Sequence, residues 1–331
     1  HGDRVVHVGK RRWVLKALKQ EMTAHGTIHE RHWDGVLTPG LINAHTHLQY
    51  SGMVQVGQGT YDRFRAWELA FNEVYAEAQK TQPWKQWAED GARQMVESGT
   101  TAAADIVPEL DAAGALASQG MHGIAYWEVM GWHNAEWMEK GRTELIRQLR
   151  RMNEEQLPNL GISPHAPYTL ESEPFVDLPD IARQLNMRLH IHLAETPLEA
   201  GTYPPVLTTY SAADWSDHDW ESYRQLKEVG KGASAIQFVD QLGSLGPDVH
   251  IAHGVWANGE DRRILRQRGV GVALCPRSNR ITNTGKDAPV REYLEEGNLV
   301  SVGTDSLSST PTLDLLDDVS MLYDLAREQG Y

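Results

Sequence analysis

The hydrophobic and polar positions of the chain follow two alternating patterns. The first consists of short, continuously apolar runs bounded by Gly or Pro, which is typical of parallel strands buried on both faces. Eight such runs predict strands: Leu37–Leu48, Thr100–Val107, Gly123–Met130, Leu160–Pro164, Arg188–Leu193, Val249–His253, Val270–Leu274 and Leu299–Thr304.

The second pattern lies between these runs, where apolar positions recur every three or four residues, as in amphipathic helices. The predicted helices are Trp84–Ser98, Thr143–Met152, Val176–Leu185, Ser222–Leu242, Asp261–Arg268, Arg291–Glu296 and Thr312–Gln329. Eight strands that alternate with helices predict a (β/α)₈ TIM-like barrel. The competing fold, an open doubly wound sheet, would carry a glycine-rich phosphate turn after its first strand, and the sequence has none there.

Two regions do not fit the barrel pattern. Residues 1–36 precede the first strand, and we interpret them as the remnant of a small, incomplete β domain ahead of a barrel at 37–331. Val5–Val8 is strand-like, although Val14–Glu21 has a helical pattern. A chain that begins with His1 rather than Met leaves open whether residues before it, or after Tyr331, complete that domain. Residues 200–220, rich in Tyr, Trp and Pro, are predicted to form a partly ordered flap.

Composition narrows the class of protein. The chain has 331 residues, 40% apolar and 23% charged, as in an ordinary globular protein. It has no apolar run long enough to span a bilayer, and Cys275 is its only cysteine, so we expect a cytoplasmic protein without an intrachain disulfide. The net charge of −14 argues against nucleic acids and anionic membranes as partners and leaves a small-molecule substrate. A homodimer is compatible with the sequence but not required by it.

The most informative motif is His45-Thr46-His47 at the end of the first predicted strand. Residues i and i+2 of a strand lie on the same side, so both imidazoles face one way. Two neighbouring neutral imidazoles are half of a transition-metal site. The motif alone is weak evidence, and its weight comes from the other strand ends.

Those other ends carry a concentration of histidines and carboxylates. In a (β/α)₈ barrel all the carboxyl ends of the strands meet at the mouth where the active site lies. The residues found there are His165 for strand four, His190, His192 and Glu195 for strand five, His253 for strand six, Asn279 for strand seven and Asp305 for strand eight.

This set of side chains predicts a catalytic metal site. Three imidazoles and a carboxylate, from His45, His47, His192 and Asp305, suit one divalent Zn²⁺ or Fe²⁺ ion. Such an ion lowers the pKa of bound water to roughly 7. Glu195 is placed to carry protons from that water to a leaving group.

Three alternatives stay open. His190 shares a strand face with His192, which we prefer because of its spacing to Glu195. Asp305 is also a favourable residue for a helix N-terminus. His253 either binds the metal or orients the reactive water. We predict that His253, Glu195 and Asp305 are catalytic residues.

At these residues the chain resembles the amidohydrolase superfamily, and within it the group of cytosine, adenine and nucleoside deaminases and chlorohydrolases. The segments that carry the resemblance are PGLINAHTH, SPHAPY, HIHLAE, AH and VGTD, which end at His47, Tyr168, Glu195, His253 and Asp305. The resemblance implies the same ligands for a single zinc or iron ion, with Glu195 as the general acid/base, His253 beside the reactive water and His165 in contact with substrate. The His-x-x-Glu on strand five favours deamination over dechlorination.

Within this group the resemblance leaves several substrates. It points to an adenine-type nucleoside, with aminodeoxyfutalosine of menaquinone biosynthesis as one candidate and S-adenosylhomocysteine or methylthioadenosine as the alternative. The homocysteine-nucleoside deaminases often carry an acidic residue before a tryptophan in the first loop, where this chain has Arg63-Phe-Arg-Ala-Trp-Glu68. Arg63 or Arg65 is therefore a candidate contact for a substrate carboxylate, and Trp67 and Asn279 are further candidate contacts.

Two other classes of function are open to the same scaffold. One is a hydrolase that acts on a triazine, guanine or formimino compound, because a fold does not fix the substrate. The other is a catalytically silent metal-binding barrel. The presence of Glu195 and of a complete ligand set argues against the silent barrel.

Overall fold

A computed structural model describes residues 5–22, 26–154, 159–201, 226 and 228–331. The chain divides into two compact units, His1–Pro39 and Gly40–Tyr331. The flap predicted at residues 200–220 lies, except for its first two residues, outside the described part. Among the described residues, no helix combines the length and the apolar content that crossing a membrane requires.

The second unit is built on one sheet of eight parallel strands, ordered as they occur along the chain. The strands are β1 (Leu41–Thr46), β2 (Thr100–Val107), β3 (His122–Val129), β4 (Leu160–Pro164), β5 (Leu189–Leu193), β6 (Val249–His253), β7 (Gly271–Leu274) and β8 (Leu299–Val302). The predicted (β/α)₈ barrel is confirmed, and β2, β4 and β6 have the predicted bounds. β1 begins only after Pro39 and Gly40, because a proline has no N–H to donate to a neighbouring strand.

Helices follow the strands around the barrel. They are Val54–Gly57, Phe64–Ala78, Trp84–Glu97, Ala115–Ser118, Asn134–Glu136, Arg142–Glu154, Ser172–Gln184, Ala235–Gln241, Gly259–Arg268, Pro276–Ile281, Val290–Glu295 and Leu315–Glu328. Short 3₁₀ segments at Leu48–Met53, Leu110–Ala112 and Pro197–Glu199 and a π turn at Trp137–Gly141 complete the described elements.

The helix predicted at Ser222–Leu242 is interrupted in its described part, which is helical at 226, at 228–229 and again at Ala235–Gln241. The chain turns between Gly230 and Ser234, where Lys231 and Gly232 have φ of 51° and 81°. A new helix then begins at Ala235, and the Ser234 hydroxyl accepts a hydrogen bond of 3.1 Å from the Gln237 N–H. Left-handed backbone cannot continue an α-helix, so these residues end the first segment and a serine cap starts the next.

Side-chain and backbone hydrogen bonds join the two ends of the sheet. The Asp305 N–H donates to the His45 carbonyl at 3.0 Å. The Asn43 side-chain amide donates to Thr304 Oγ1 at 2.7 Å and accepts from the Thr304 N–H at 3.2 Å. The loop after β8 is therefore fixed against β1, so Asp305 lies beside the histidines of the first strand.

The described residues of the first unit do not show the β character predicted for residues 1–36. Its described residues contain one helix, Arg11–Glu21, and no strand. Val5 and Val8 are 82% and 90% exposed, and the described residues of this unit offer them no partner strand. The assignment of residues 1–36 and 37–331 to separate domains stays a prediction.

One ion pair, with a buried carboxylate, fixes the helix Pro276–Ile281 to the last helix. The Arg277 guanidinium donates to Asp318 Oδ2 at 2.7 and 2.9 Å, and it also donates to the carbonyls of Thr312 and Asp314. Asp318 is fully buried, and burial raises its pKa to about 6 although Arg277 acts to lower it.

We expect Arg277→Met to lower the free energy of unfolding by about 3–5 kcal/mol at pH 8, because it leaves a buried carboxylate without its cation. The loss should shrink at pH 5, since below a folded-state pKa of about 6 the Asp318 carboxyl takes up a proton and no longer needs the cation. Denaturant unfolding at both pH values measures this difference. The matched control is Arg280→Met, whose exposed pair with Asp287 should contribute less than about 1 kcal/mol. Equal losses in the two variants would contradict the assignment.

Candidate metal centre

The first strand brings two imidazoles to the mouth of the barrel. His45 and His47 alternate with Thr46 along β1 and are both buried. Neither ring nitrogen of His45 has a hydrogen-bond partner among the described residues. A buried ring with two unsatisfied nitrogens is costly unless a ligand uses one of them.

His192 of β5 faces this pair. Its Nδ1 donates to the His165 carbonyl at 3.2 Å, which leaves Nε2 unprotonated in the neutral ring. That Nε2 lies 3.2 Å from His47 Nε2. His190, the alternative on the same strand, donates its Nε2 proton to the Ala44 carbonyl at 3.1 Å, deeper in the barrel. The structure therefore places His192, rather than His190, in the cluster.

Asp305 supplies a carboxylate from the loop after β8. Its Oδ1 lies 3.6 Å from His45 Nε2 and 3.7 Å from His47 Nε2. Ser278 Oγ donates to Oδ2 at 2.6 Å, which orients the carboxylate. Asp305 does not begin a helix, because the helix Leu315–Glu328 is capped by Asp314.

The donor atoms fit a divalent cation. Zinc binds nitrogen and oxygen at roughly 2.0–2.2 Å, so neighbouring ligand atoms of a tetrahedral site lie about 3.4 Å apart. The distances of 3.2, 3.6 and 3.7 Å between the facing atoms are close to this spacing. Burial lowers the pKa of His45, His47 and His192, that of His47 to about 4, so the rings are in the neutral form that binds metals.

Glu195 and His253 stand beside the cluster. Glu195 Oε2 accepts a hydrogen bond from the Tyr168 hydroxyl at 2.8 Å, and Oε1 lies 3.5 Å from His253 Nε2. Burial raises the pKa of Glu195, as a group that both takes up and releases a proton requires. His253 Nδ1 donates to Asn279 Oδ1 at 3.0 Å, which turns Nε2 toward Glu195.

A second carboxylate holds the backbone of Glu195 in place. Glu199, fully buried, accepts hydrogen bonds of 2.9 Å from the N–H groups of Ala194, Glu195 and Thr196. Burial raises its pKa to about 7, against the lowering effect of these bonds. These bonds fix the geometry of the turn after β5. Glu195 cannot move away from the cluster unless its hydrogen bond to Glu199 breaks.

Three residues at the same mouth have a strained backbone. Ala194, His253 and Asp305 have φ of 54°, 74° and 61°, in the left-handed region that side chains other than glycine disfavour. Each such residue costs of order 1–3 kcal/mol and persists only where the surroundings enforce it. The three lie directly at, or next to, the residues that we predict to be functional.

A cavity of about 250 Å³ opens onto the cluster. One wall is aromatic and the other carries the histidines and carboxylates of the site. Its lining includes Tyr50, Phe64, Trp67, Glu68, Phe71, Tyr75, Glu128, Met130, His165, Tyr168, Glu195 and Asp305. A concave site with an apolar wall and a few converging polar groups is typical of a small-molecule site.

The predicted substrate contacts divide into two sets. His165 and Trp67 line the cavity. Arg63, Arg65 and Asn279 are not among its lining residues: Arg65 pairs with Glu68 at 2.6 Å, and Asn279 contacts His253 instead. Asn279 does not reach the cavity because the helix after β7 directs its amide toward His253 of β6. Contact of the arginines with a substrate carboxylate stays a prediction.

Sequence reasoning missed two acidic residues of the barrel mouth. Asp105 on β2 accepts from the Leu48 N–H at 2.9 Å, and burial raises its pKa to about 8. Glu128 on β3 lines the cavity, and burial together with Asp305 raises its pKa to about 8. The signal was present, because both residues lie at the carboxyl ends of predicted strands.

The sequence of the chain also matches a known protein family over the residues that form this site. The pattern of the amidohydrolase family matches residues 36–203 and 207–331. The chain belongs to the amidohydrolase family. The resemblance expected from the sequence motifs is thereby confirmed over almost the whole barrel.

Curated relatives within this family carry deaminase names. The chain is 30% identical to the 5-methylthioadenosine/S-adenosylhomocysteine deaminase of Thermococcus kodakarensis, over 86% of this chain and 62% of that protein. It is 31% identical to the 5′-deoxyadenosine deaminase of Methanosarcina mazei, over 86% of this chain and 60% of that protein. The chain therefore spans about three fifths of the length of these relatives.

Solved structures share the fold of this family member. The aminofutalosine deaminase of Helicobacter pylori aligns with a TM-score of 0.66 at 20% identity, over 87% of this chain and 68% of that one. The atrazine chlorohydrolase of Arthrobacter aurescens, solved with zinc, aligns with a TM-score of 0.67 at 20% identity, over 86% of this chain and 63% of that one. At these identities the likeness extends to the barrel and not to the substrate.

Proposed function

We propose that this amidohydrolase is a metal-dependent aminohydrolase that deaminates an adenine-type nucleoside and releases ammonia. The observation that carries the proposal is the position of Glu195. Its buried carboxyl group accepts from Tyr168 and lies 3.5 Å from His253, and its backbone N–H donates to Glu199. It stands at the edge of a histidine–aspartate cluster that opens onto a cavity. The names of the curated relatives support the same class of reaction.

The metal ligands in this proposal are His45, His47, His192 and Asp305, around one Zn²⁺ or Fe²⁺ ion. When bound, such an ion lowers the pKa of water and so supplies a nucleophile at neutral pH. Both metals accept this mixed set of nitrogen and oxygen ligands. Ser278 and the His165 carbonyl keep the Asp305 carboxylate and the His192 ring oriented toward the centre.

The remaining residues move protons and hold the substrate. Glu195 takes a proton from the water as the C–O bond to the amino-bearing ring carbon forms and gives it to the adjacent ring nitrogen. It then takes the remaining hydroxyl proton of the adduct and gives it to the amino nitrogen as the C–N bond breaks and the carbonyl forms. His253, with its Nε2 directed toward Glu195, orients the water. His165 and Trp67 contact the purine and its ribose from the cavity wall.

The substituent on the ribose separates two candidate substrates. The aromatic wall and the carboxyl groups of the cavity favour a neutral 5′ group, as in 5′-deoxyadenosine or methylthioadenosine. Aminodeoxyfutalosine, which carries a carboxylate, requires Arg63 and Arg65, which lie on the segment that supplies the aromatic wall. A triazine, guanine or formimino substrate has no further support from the residues of the site.

An ammonia-release screen with added zinc or iron tests the function. The panel contains adenosine, 5′-deoxyadenosine, methylthioadenosine, S-adenosylhomocysteine, aminodeoxyfutalosine, guanine and atrazine. We expect ammonia from the adenine nucleosides. Chloride from atrazine without nucleoside turnover would contradict the proposal, and so would a metal-loaded protein that turns over nothing. If aminodeoxyfutalosine is the substrate, Arg63→Ala and Arg65→Ala should raise its KM and spare adenosine.

A further inference from the structure

Tyr168 ends the SPHAPY segment of the sequence, yet it is neither a metal ligand nor a proton carrier in the proposed reaction. Its side chain is buried and lines the cavity, with its ring centroid 5.5 Å from that of His165 in an edge-to-face arrangement. A tight turn holds it there, because the N–H groups of Thr169 and Leu170 both donate to the Ala166 carbonyl at 3.0 Å. The backbone and the packing of the ring therefore fix the position of the phenol.

The hydroxyl of Tyr168 makes the two oxygens of the Glu195 carboxyl group different from each other. It donates to Oε2 at 2.8 Å, whereas Oε1 lies 3.5 Å from His253 Nε2. Among the described residues, Tyr168 is the one side chain that donates a hydrogen bond to this carboxyl group. Oε1 therefore keeps its hydrogen-bonding capacity for a water or a substrate in the cavity.

The carboxyl group of Glu195 needs this hold because its backbone is fixed separately. The Glu195 N–H donates to Glu199 at 2.9 Å, but that contact does not reach the end of the side chain. The terminal torsion of a glutamate has broad preferences, so the side chain alone does not decide how its carboxyl group is turned. The bond from Tyr168 supplies that decision.

We propose that Tyr168 is a positioning residue for the acid/base chemistry, an inference that rests on the proposed function. By holding Oε2, it reserves Oε1 for the proton transfers between the water, the ring nitrogen and the amino group. A proton passes efficiently only between atoms within hydrogen-bond reach, and a misplacement of about 1 Å can cost about 10²-fold in rate. Tyr168 thus acts on kcat through Glu195 and contributes little to substrate binding.

Tyr168→Phe tests this role, because it keeps the ring and removes only the hydroxyl. We expect kcat for an adenine nucleoside to fall by about 10- to 100-fold, while KM changes by less than about threefold and the metal content stays the same. The matched control is Tyr61→Phe. The Tyr61 hydroxyl donates to the Val56 carbonyl at 2.9 Å, and Tyr61 lies outside the described lining of the cavity. Its kcat should match that of the unaltered protein.

A crystal structure of the unaltered protein with zinc and coformycin tests the same role without a variant. Coformycin is a nucleoside with a tetrahedral, hydroxyl-bearing ring carbon, so it resembles the adduct of water and an adenine nucleoside. We expect its hydroxyl or the adjacent ring nitrogen within about 3.2 Å of Glu195 Oε1, with Tyr168 still bonded to Oε2. A contact made through Oε2 instead would overturn the inference.

The kinetic test has three further results that would overturn it. One is a near-normal kcat in Tyr168→Phe. Another is a rise in KM alone, which would make Tyr168 a substrate contact. The third is loss of metal, or an equal fall of kcat in Tyr61→Phe, which would make the effect a structural one. If the unaltered, metal-loaded protein deaminates no nucleoside, the proposed function itself fails, and that result is seen before any variant is measured.

Discussion

Replacing Glu195 with glutamine is expected to lower kcat by about 10²- to 10⁴-fold while the metal content stays unchanged. The amide has nearly the same shape and can still accept from the Tyr168 hydroxyl, but it cannot take up and release a proton. Glu195 is not one of the four residues that we assign to the metal, so the ion should remain. Steady-state ammonia release and metal analysis on the same preparation measure the two quantities.

The control for this variant is Glu260→Gln, which removes an exposed carboxylate at the start of the helix Gly259–Arg268. Its turnover should match that of the unaltered protein. Near-normal turnover in Glu195→Gln would remove the acid/base role. Loss of metal in that variant would instead move Glu195 into the ligand set.

Replacing His192 with alanine should lower both metal affinity and turnover, the latter by about 10³-fold or more. A catalytic metal supplies several kcal/mol of transition-state stabilisation, and each 1.36 kcal/mol is a factor of about ten in rate. The facing His47 Nε2, 3.2 Å away, also loses the neighbour with which it would share the ion. Metal titration and kcat/KM at saturating metal separate the loss of affinity from the loss of chemistry.

The matched control is His250→Ala on β6. His250 lies outside the cluster, and its ring centroid is 6.2 Å from that of His190. Its replacement should leave metal content and turnover close to those of the unaltered protein. A His192→Ala protein that keeps one ion and full turnover would show that the cluster is not the catalytic centre.

The barrel could be predicted because its strands are short apolar runs with clear ends. β2, β4 and β6 have the predicted bounds since each is limited by a local signal such as a glycine or a polar turn. The pairing of His45 with His47 followed from strand geometry alone. Asp305 lies in another loop, far along the chain, and only the rule that parallel strand ends meet at one mouth connects it to them.

The helix Phe64–Ala78 could not be predicted in the same way. Arg63 precedes it without a side-chain cap, so the usual start signal of Ser, Thr, Asp or Asn is absent. Its aromatic residues, Phe64, Trp67, Phe71 and Tyr75, do have helical spacing, but they bury themselves against the cavity rather than against a strand. The aromatic wall of the site therefore came from a segment that the sequence analysis treats as a loop.

Glu128 and Glu199 show a different limit. Glu199 lies in a turn with polar neighbours, where an exposed carboxylate is the ordinary expectation, whereas Glu128 lies near the end of a predicted apolar strand. Glu199 can be buried because three backbone N–H groups of the turn after β5 donate to its carboxylate. Burial of Glu128 depends on a wall built by residues about sixty positions earlier. Sequence pattern carries neither contact.

The central claim is that His45, His47, His192 and Asp305 bind one divalent ion beside Glu195, and X-ray absorption at the metal edge tests it most directly. The protein is loaded with one equivalent of zinc. We predict nitrogen and oxygen neighbours at roughly 2.0–2.2 Å, together with the multiple-scattering features of imidazole. Both signals should be lost in His192→Ala. A sulfur neighbour at roughly 2.3 Å, an all-oxygen shell or a spectrum that His192→Ala leaves unchanged would contradict it.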